Sequence, residues 1–104
     1  SAGGYNVGWI NKGEWMSYTV NVQKSGYYIV RFYIASSFDG GKFHIEIDNK
    51  DITGILEVPN TRGFQNWDII SAKIKLEKGI HVLKFAADGD YFNIDKMIFE
   101  FSNK

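Results

Sequence analysis

Glu14-Trp15-Met16-Ser17-Tyr18-Thr19-Val20-Asn21-Val22 is the stretch from which the fold is read. Met16, Tyr18, Val20 and Val22 make one apolar face, and Trp15, Ser17, Thr19 and Asn21 make the other. A period of two marks a half-buried β-strand. The exception is Trp15, because the solvent side of such a strand ordinarily carries Thr, Lys or Glu. An indole among small polar side chains is the first pointer to a binding surface.

Working outward, the same alternation recurs. Tyr28, Val30, Phe32 and Ile34 share one face of a strand over Tyr27 to Ser37, and Tyr27, Ile29, Arg31, Tyr33 and Ala35 share the other. Both faces are partly apolar, which predicts a mid-sheet position. From Lys42 to Asp48, residues Phe43, Ile45 and Ile47 are expected to point inward and His44, Glu46 and Asp48 outward. Ile52 to Val58 reads as a short strand stopped by Pro59, the only proline. Trp67 to Glu77, Ile80 to Ala87 and Tyr91 to Phe101 complete the set. Towards the front, Ser1 to Asn6 reads as a glycine-rich loop, with an extended segment beginning at Asn6 and running to Ile10. Asn11-Lys12-Gly13, Ser25-Gly26, Asn49-Lys50-Asp51, Lys78-Gly79 and Asp88-Gly89-Asp90 are turns, Ser25-Gly26 a hairpin-like one. No segment sustains an apolar period of 3.6. About seven or eight short strands predict an all-β chain, an antiparallel β-sandwich of jelly-roll type.

Composition narrows the function. A chain of 104 residues is one domain, 1–104, with room for a sandwich core but not for a second module. Twelve basic and twelve acidic residues are interleaved, which argues against nucleic acid or an anionic membrane as partner. With no cysteine there is neither a disulfide framework nor a thiol nucleophile. No stretch approaches the roughly 18 apolar residues of a membrane helix, and no leader is read, so a secreted protein would be present here in processed or excised form. His44 and His81 each lie inside a strand without metal-ligand spacing, and the scattered carboxylates form no hydrolytic motif. No catalytic residue is expected. Aromatics, at 16% of residues, are the anomaly.

Trp9, Trp15, Phe64 and Trp67 stand beside amides or glycines, or on the outward side of a strand. A sugar has an apolar face of C–H groups and a rim of hydroxyls, so a planar ring flanked by Asn or Gln suits it: the ring covers the face, and the amide donates to one hydroxyl and accepts from its neighbour.

Gly4-Tyr5-Asn6-Val7-Gly8-Trp9-Ile10, Gly13-Glu14-Trp15, Gly63-Phe64-Gln65-Asn66-Trp67 and Phe92-Asn93-Ile94-Asp95 together resemble the family 6 carbohydrate-binding modules, non-catalytic appendages of secreted bacterial polysaccharide hydrolases. The likeness covers nearly the whole chain, with the motifs in order. It implies a jelly roll with two sugar sites. One, at the loop end, would use Trp9, Phe64 and Asn93, with Phe64 where the family more often has tryptophan. The other, on the concave sheet face, would use Trp15, Ser17 and Glu46, with Tyr33 and Arg31 as neighbours. The resemblance also implies a structural calcium, for which this sequence retains Asp95. Its other ligands belong to an opening strand that pairs beside the last strand and is expected to be missing here. A β-glucan, β-1,3 or mixed-linkage, is the expected partner, with xylan or agarose next, and the module is expected outside the cell, attached to a glycoside hydrolase. A glycosidase or lyase domain, or a protein-binding sandwich, are the competing readings.

Overall fold

Each period-two run has one apolar face to bury, and the chain does so by laying two sheets face to face. A computed structural model describes residues 2–89 and 91–102, with the backbone alone described for 2–7, 9 and 10. Among these residues there are nine strands and no helix: β1 (Ala2–Ile10), β2 (Trp15–Val22), β3 (Gly26–Ser36), β4 (Gly41–Ile47), β5 (Lys50–Asp51), β6 (Leu56–Val58), β7 (Gly63–Leu76), β8 (Gly79–Ala87) and β9 (Phe92–Ser102). One sheet has the order β1-β9-β3-β7, the other β2-β8-β4-β5, and β6 also pairs with β4. Every pairing is antiparallel.

Inward residues behave as the alternation predicts. Phe43 is the hub of the core: it stacks on Phe85 at 4.6 Å between centroids, meets Phe32 edge-on at 4.9 Å and approaches Phe92 at 5.8 Å. Phe43 and Phe85 come from one sheet, Phe32 and Phe92 from the other, so aromatic contact spans the interface. All four are fully buried, each ring removed from water for about 1.5–3 kcal/mol. β3 lies between β9 and β7, as its two apolar faces require.

Four local expectations are corrected. Ser25-Gly26 does not close a hairpin, because β2 and β3 belong to opposite sheets and the chain crosses between them there. Ala2–Ile10 is a strand throughout, paired with β9 from Ala2 opposite Glu100 to Ile10 opposite Phe92. The position beside the last strand is therefore filled by this segment. Of the stretch expected as one strand over 52–58 only Leu56–Val58 is strand, since the chain turns at Gly54, whose φ of +70° favours glycine, and the other short pairing on β4, β5, lies at Lys50–Asp51 within the segment expected as a turn. Gly63 to Asn66, read as loop, opens β7.

At one end of the sandwich His81 holds a corner together. Its Nδ1 bonds to the Asp48 carboxylate at 2.6 Å and its Nε2 to the Glu77 carbonyl at 2.7 Å, while Asp48 also accepts the Val82 N–H at 2.9 Å. Both ring nitrogens face acceptors, so the imidazolium fits best. The bond to Asp48 raises the His81 pKa above 6.5, and the same bond lowers that of Asp48 below 3.8. The raised His contributes stability below pH 6.5 that is lost as pH rises through its folded value. The depressed Asp contributes above pH 3.8 and is lost as pH falls through its own. Urea denaturation across pH should give a plateau between these limits, with the alkaline fall reduced by His81→Gln and the acid fall by Asp48→Asn.

Candidate carbohydrate-binding site

Two surfaces gather the candidate residues. On the outer face of the five-stranded sheet, register sets two rows. Trp15, Ala86 and His44 lie across β2, β8 and β4, and Ser17, Lys84, Glu46 and Asp51 lie across β2, β8, β4 and β5. Trp15 is thus about 10 Å from the β4 backbone, two inter-strand spacings. It is 59% exposed even though the Lys84 ammonium sits 4.8 Å from its ring centroid. The turn Asn11–Glu14 sets its direction: the Glu14 N–H donates to the Asn11 carbonyl, the Gly13 N–H to the Ala87 carbonyl, and the Ala87 N–H to the Glu14 carbonyl.

Beside this platform runs a chain of three titratable groups. His44 Nδ1 bonds to the Asp88 carboxylate at 2.6 Å, and His44 Nε2 to the Glu46 carboxylate at 2.7 Å. All three are mostly covered, with side-chain exposures of 16%, 25% and 20% for His44, Asp88 and Glu46. Burial works to lower the His44 pKa, but the hydrogen bonds to Asp88 and Glu46 and the charges of Asp88 and Asp51 prevail and raise it above 6.5. Asp88 is fixed by its backbone: its N–H and that of Gly89 both donate to the Lys42 carbonyl. Gly89 has to be glycine, since a Cβ there would run into the Gly40 carbonyl oxygen and the Lys42 backbone.

The second surface is one end of the four-stranded sheet. Asn93 pairs with Trp9 on β1 and with Ala35 on β3. Phe92 and Ile94 are buried in the core, so Asn93 points the opposite way, and it is 8% exposed. Phe64, on β7, is flanked edge-on by Phe38 at 5.7 Å and Tyr91 at 5.6 Å, the former 53% exposed. Ser36, fully buried, ties the loops together. Its hydroxyl faces the Phe38 and Tyr91 carbonyls at 3.0 and 3.3 Å and accepts the Phe38 N–H, while the Ser36 carbonyl accepts the Thr61 N–H at 2.8 Å.

Trp15, Ser17 and Glu46 therefore share one face, and Phe64 and Asn93 lie at one end of the other sheet. The Trp9 side chain lies outside the described residues, and only its register opposite Asn93 is stated. Tyr33 is corrected: β3 belongs to the other sheet, where Tyr33 faces outward beneath the Lys96 ammonium, 4.7 Å from its ring, and Arg31 pairs with Glu100. Neither can join Trp15, because the whole sandwich separates them. Asp95 is exposed at a bulge of β9 against β3, where Tyr33 pairs with Lys96 and Ile34 with Ile94. Among the described residues no three His, Cys, Asp or Glu converge as a metal site.

The match to the family model for carbohydrate binding module family 6 runs over residues 1–101. The chain belongs to carbohydrate-binding module family 6. This family is a non-catalytic kind of domain. Among curated proteins, the clotting factor G alpha subunit of Tachypleus tridentatus is 34% identical over 95 residues, which cover 89% of this chain and only 14% of that protein. Among solved structures, the C-terminal family 6 module of LamC, a marine laminarinase from Zobellia galactanivorans, superposes with a TM-score of 0.82 at 32% identity, covering 88% of this chain and 75% of that one. A β-1,3-glucan-binding family 6 module from Bacillus halodurans gives 0.78 at 25% identity, covering 97% and 85%.

In this family 6 module sequence reasoning missed Phe38, Tyr91 and Ser36 at the loop end, and Lys84, His44 and Asp88 as a group on the sheet face. Outward alternation signals His44 beside Glu46, but Lys84 reaches them only through register and Asp88 only through its backbone bond to Lys42. Because the buried Ser36 hydroxyl bonds to both the Phe38 and the Tyr91 backbone, Ser36→Ala should cost about 1–3 kcal/mol in urea denaturation and broaden the Phe38 and Tyr91 resonances.

Proposed function

We propose that this module binds β-glucan chains, β-1,3 or mixed-linkage first, and holds an attached glycoside hydrolase on that substrate outside the cell. The observation that carries the reading is the exposed Trp15 sharing a face with Ser17 and Glu46. The indole offers an apolar platform for the C–H face of a glucosyl ring, the Ser17 hydroxyl donates and accepts, and the Glu46 carboxylate accepts from sugar hydroxyls. The likeness to a β-1,3-glucan-binding module and to the module of a laminarinase supports the choice of glucan. Phe64 and Asn93 at the loop end, with Trp9, make a second place for a sugar, whose smaller ring lends less stacking area.

Affinity gel electrophoresis with laminarin, mixed-linkage β-glucan, xylan and agarose tests the reading, and retardation by laminarin or mixed-linkage glucan is expected. Stacking that covers roughly 60 Å² at about 25 cal/mol per Å² corresponds to about 1.5 kcal/mol, so Trp15→Ala should weaken binding about tenfold. Trp9→Ala should leave most of it. The reverse pattern would move recognition to the loop end, and no retardation by any polysaccharide would end the sugar reading.

A further inference from the structure

His44 is an unusual residue to find beside a sugar platform, because both of its ring nitrogens are committed. Nδ1 lies 2.6 Å from an Asp88 oxygen and Nε2 lies 2.7 Å from a Glu46 oxygen. An ionised carboxylate only accepts, and a neutral imidazole carries one N–H. Both bonds can exist together only when His44 is the imidazolium. We propose that protonated His44 is the positioning residue for Glu46, so that carbohydrate binding on the sheet face weakens as His44 loses its proton. This rests on the sheet-face reading above.

The surroundings decide which bond yields. Asp88 cannot follow a moving ring, because its own N–H and that of Gly89 are held by the Lys42 carbonyl at 2.7 and 3.0 Å. Glu46 has a longer side chain and only its register to restrain it. Loss of the Nε2 proton turns a lone pair toward the Glu46 oxygen, and the two repel. Glu46 then swings free. In the protonated state the oxygen on Nε2 is occupied, which aims the other carboxylate oxygen toward the ligand side before any sugar arrives.

Other charges near His44 do not substitute for it. On its own strand the outward neighbours are Lys42 and Glu46. From β8 comes Lys84, opposite Glu46 in register but seated over Trp15, with no ion pair to Glu46. Asp51 on β5, opposite Glu46, and Glu57 on β6, opposite Lys42, add negative charge, and Asp88 comes from the turn after β8. β2 contributes Trp15 and Ser17, which do not titrate here, and Glu14 caps the Asn11 N–H. Of these, the carboxylates of Asp88, Glu46 and Asp51 act on the imidazole and agree with the raised His44 pKa. Because that pKa is raised, ordering of Glu46 is complete below pH 6.5 and is lost as pH rises through the folded value.

Laminarihexaose titrations followed at the Trp15 indole N–H by NMR read this site alone, from about pH 5 to about pH 9. Holding one flexible side chain in place changes affinity by about two- to tenfold. The Kd at Trp15 is expected to rise by that factor, with a midpoint at the pKa read from the His44 ring resonances. His44→Gln should give a flat profile at the weaker level, and Glu46→Gln should flatten it as well, so the result stands if either variant misfolds. A constant Kd in the wild type, or an unchanged profile in His44→Gln, overturns the positioning role while leaving the sugar site intact. If the sugar shifts no Trp15 signal at any pH, the sheet-face reading falls and takes this inference with it.

Discussion

Contact between Phe43 and the rings of Phe85, Phe32 and Phe92 is the interaction on which the rest depends. It joins two sheets across their shared interior, and it also sets the facing of β4. With Phe43, Ile45 and Ile47 committed to the core, His44 and Glu46 have no choice but the outer surface. A slip of one residue in β4 would exchange the two sets and bury two ionisable groups, which is prohibitive without partners. The outward placement of His44 and Glu46 is therefore a by-product of how the interior is filled.

Most of the architecture was legible because its signal is local. Alternation in Glu14 to Val22 and in Lys42 to Asp48 assigned inward and outward residues that the structure reproduces. What stayed hidden was pairing. Nothing within Tyr27 to Ser37 says which sheet it joins, so Tyr33 was grouped with Trp15 when the two lie on opposite surfaces. The crossing at Ser25-Gly26 looks locally like a hairpin, since a glycine turn serves either purpose. Ala2–Ile10 lacks alternation because three of its residues are glycine, and its strand character comes from β9. Among the candidate residues, Trp15, Ser17 and Glu46 were legible as sharing a face because alternation puts each of them outward. Lys84 and Asp88 were not, since they are brought in by ladder register and by backbone bonds to Lys42.

The two surfaces differ in how they are held. At the loop end a single hydroxyl, that of Ser36, serves segments distant in sequence, and aromatic edges fill the gaps around Phe64. On the sheet face the platform rests on hydrogen-bonded ladders, and the adjustable element is electrostatic. An indole under an ammonium sits beside a carboxylate held by a cation. Ladders resist deformation, whereas charge responds to solvent conditions.

Because core and outward residues occupy alternate places on the same strands, the interior and the surface can change almost independently. Replacing Ser17, Lys84 or Glu46 leaves Tyr18, Leu83, Phe85, Ile45 and Ile47 where they are. A few outward side chains can be exchanged at a cost in stability of about 0.5 kcal/mol or less each. The scaffold is in that sense a two-sided page, one side printed for cohesion and the other open to revision.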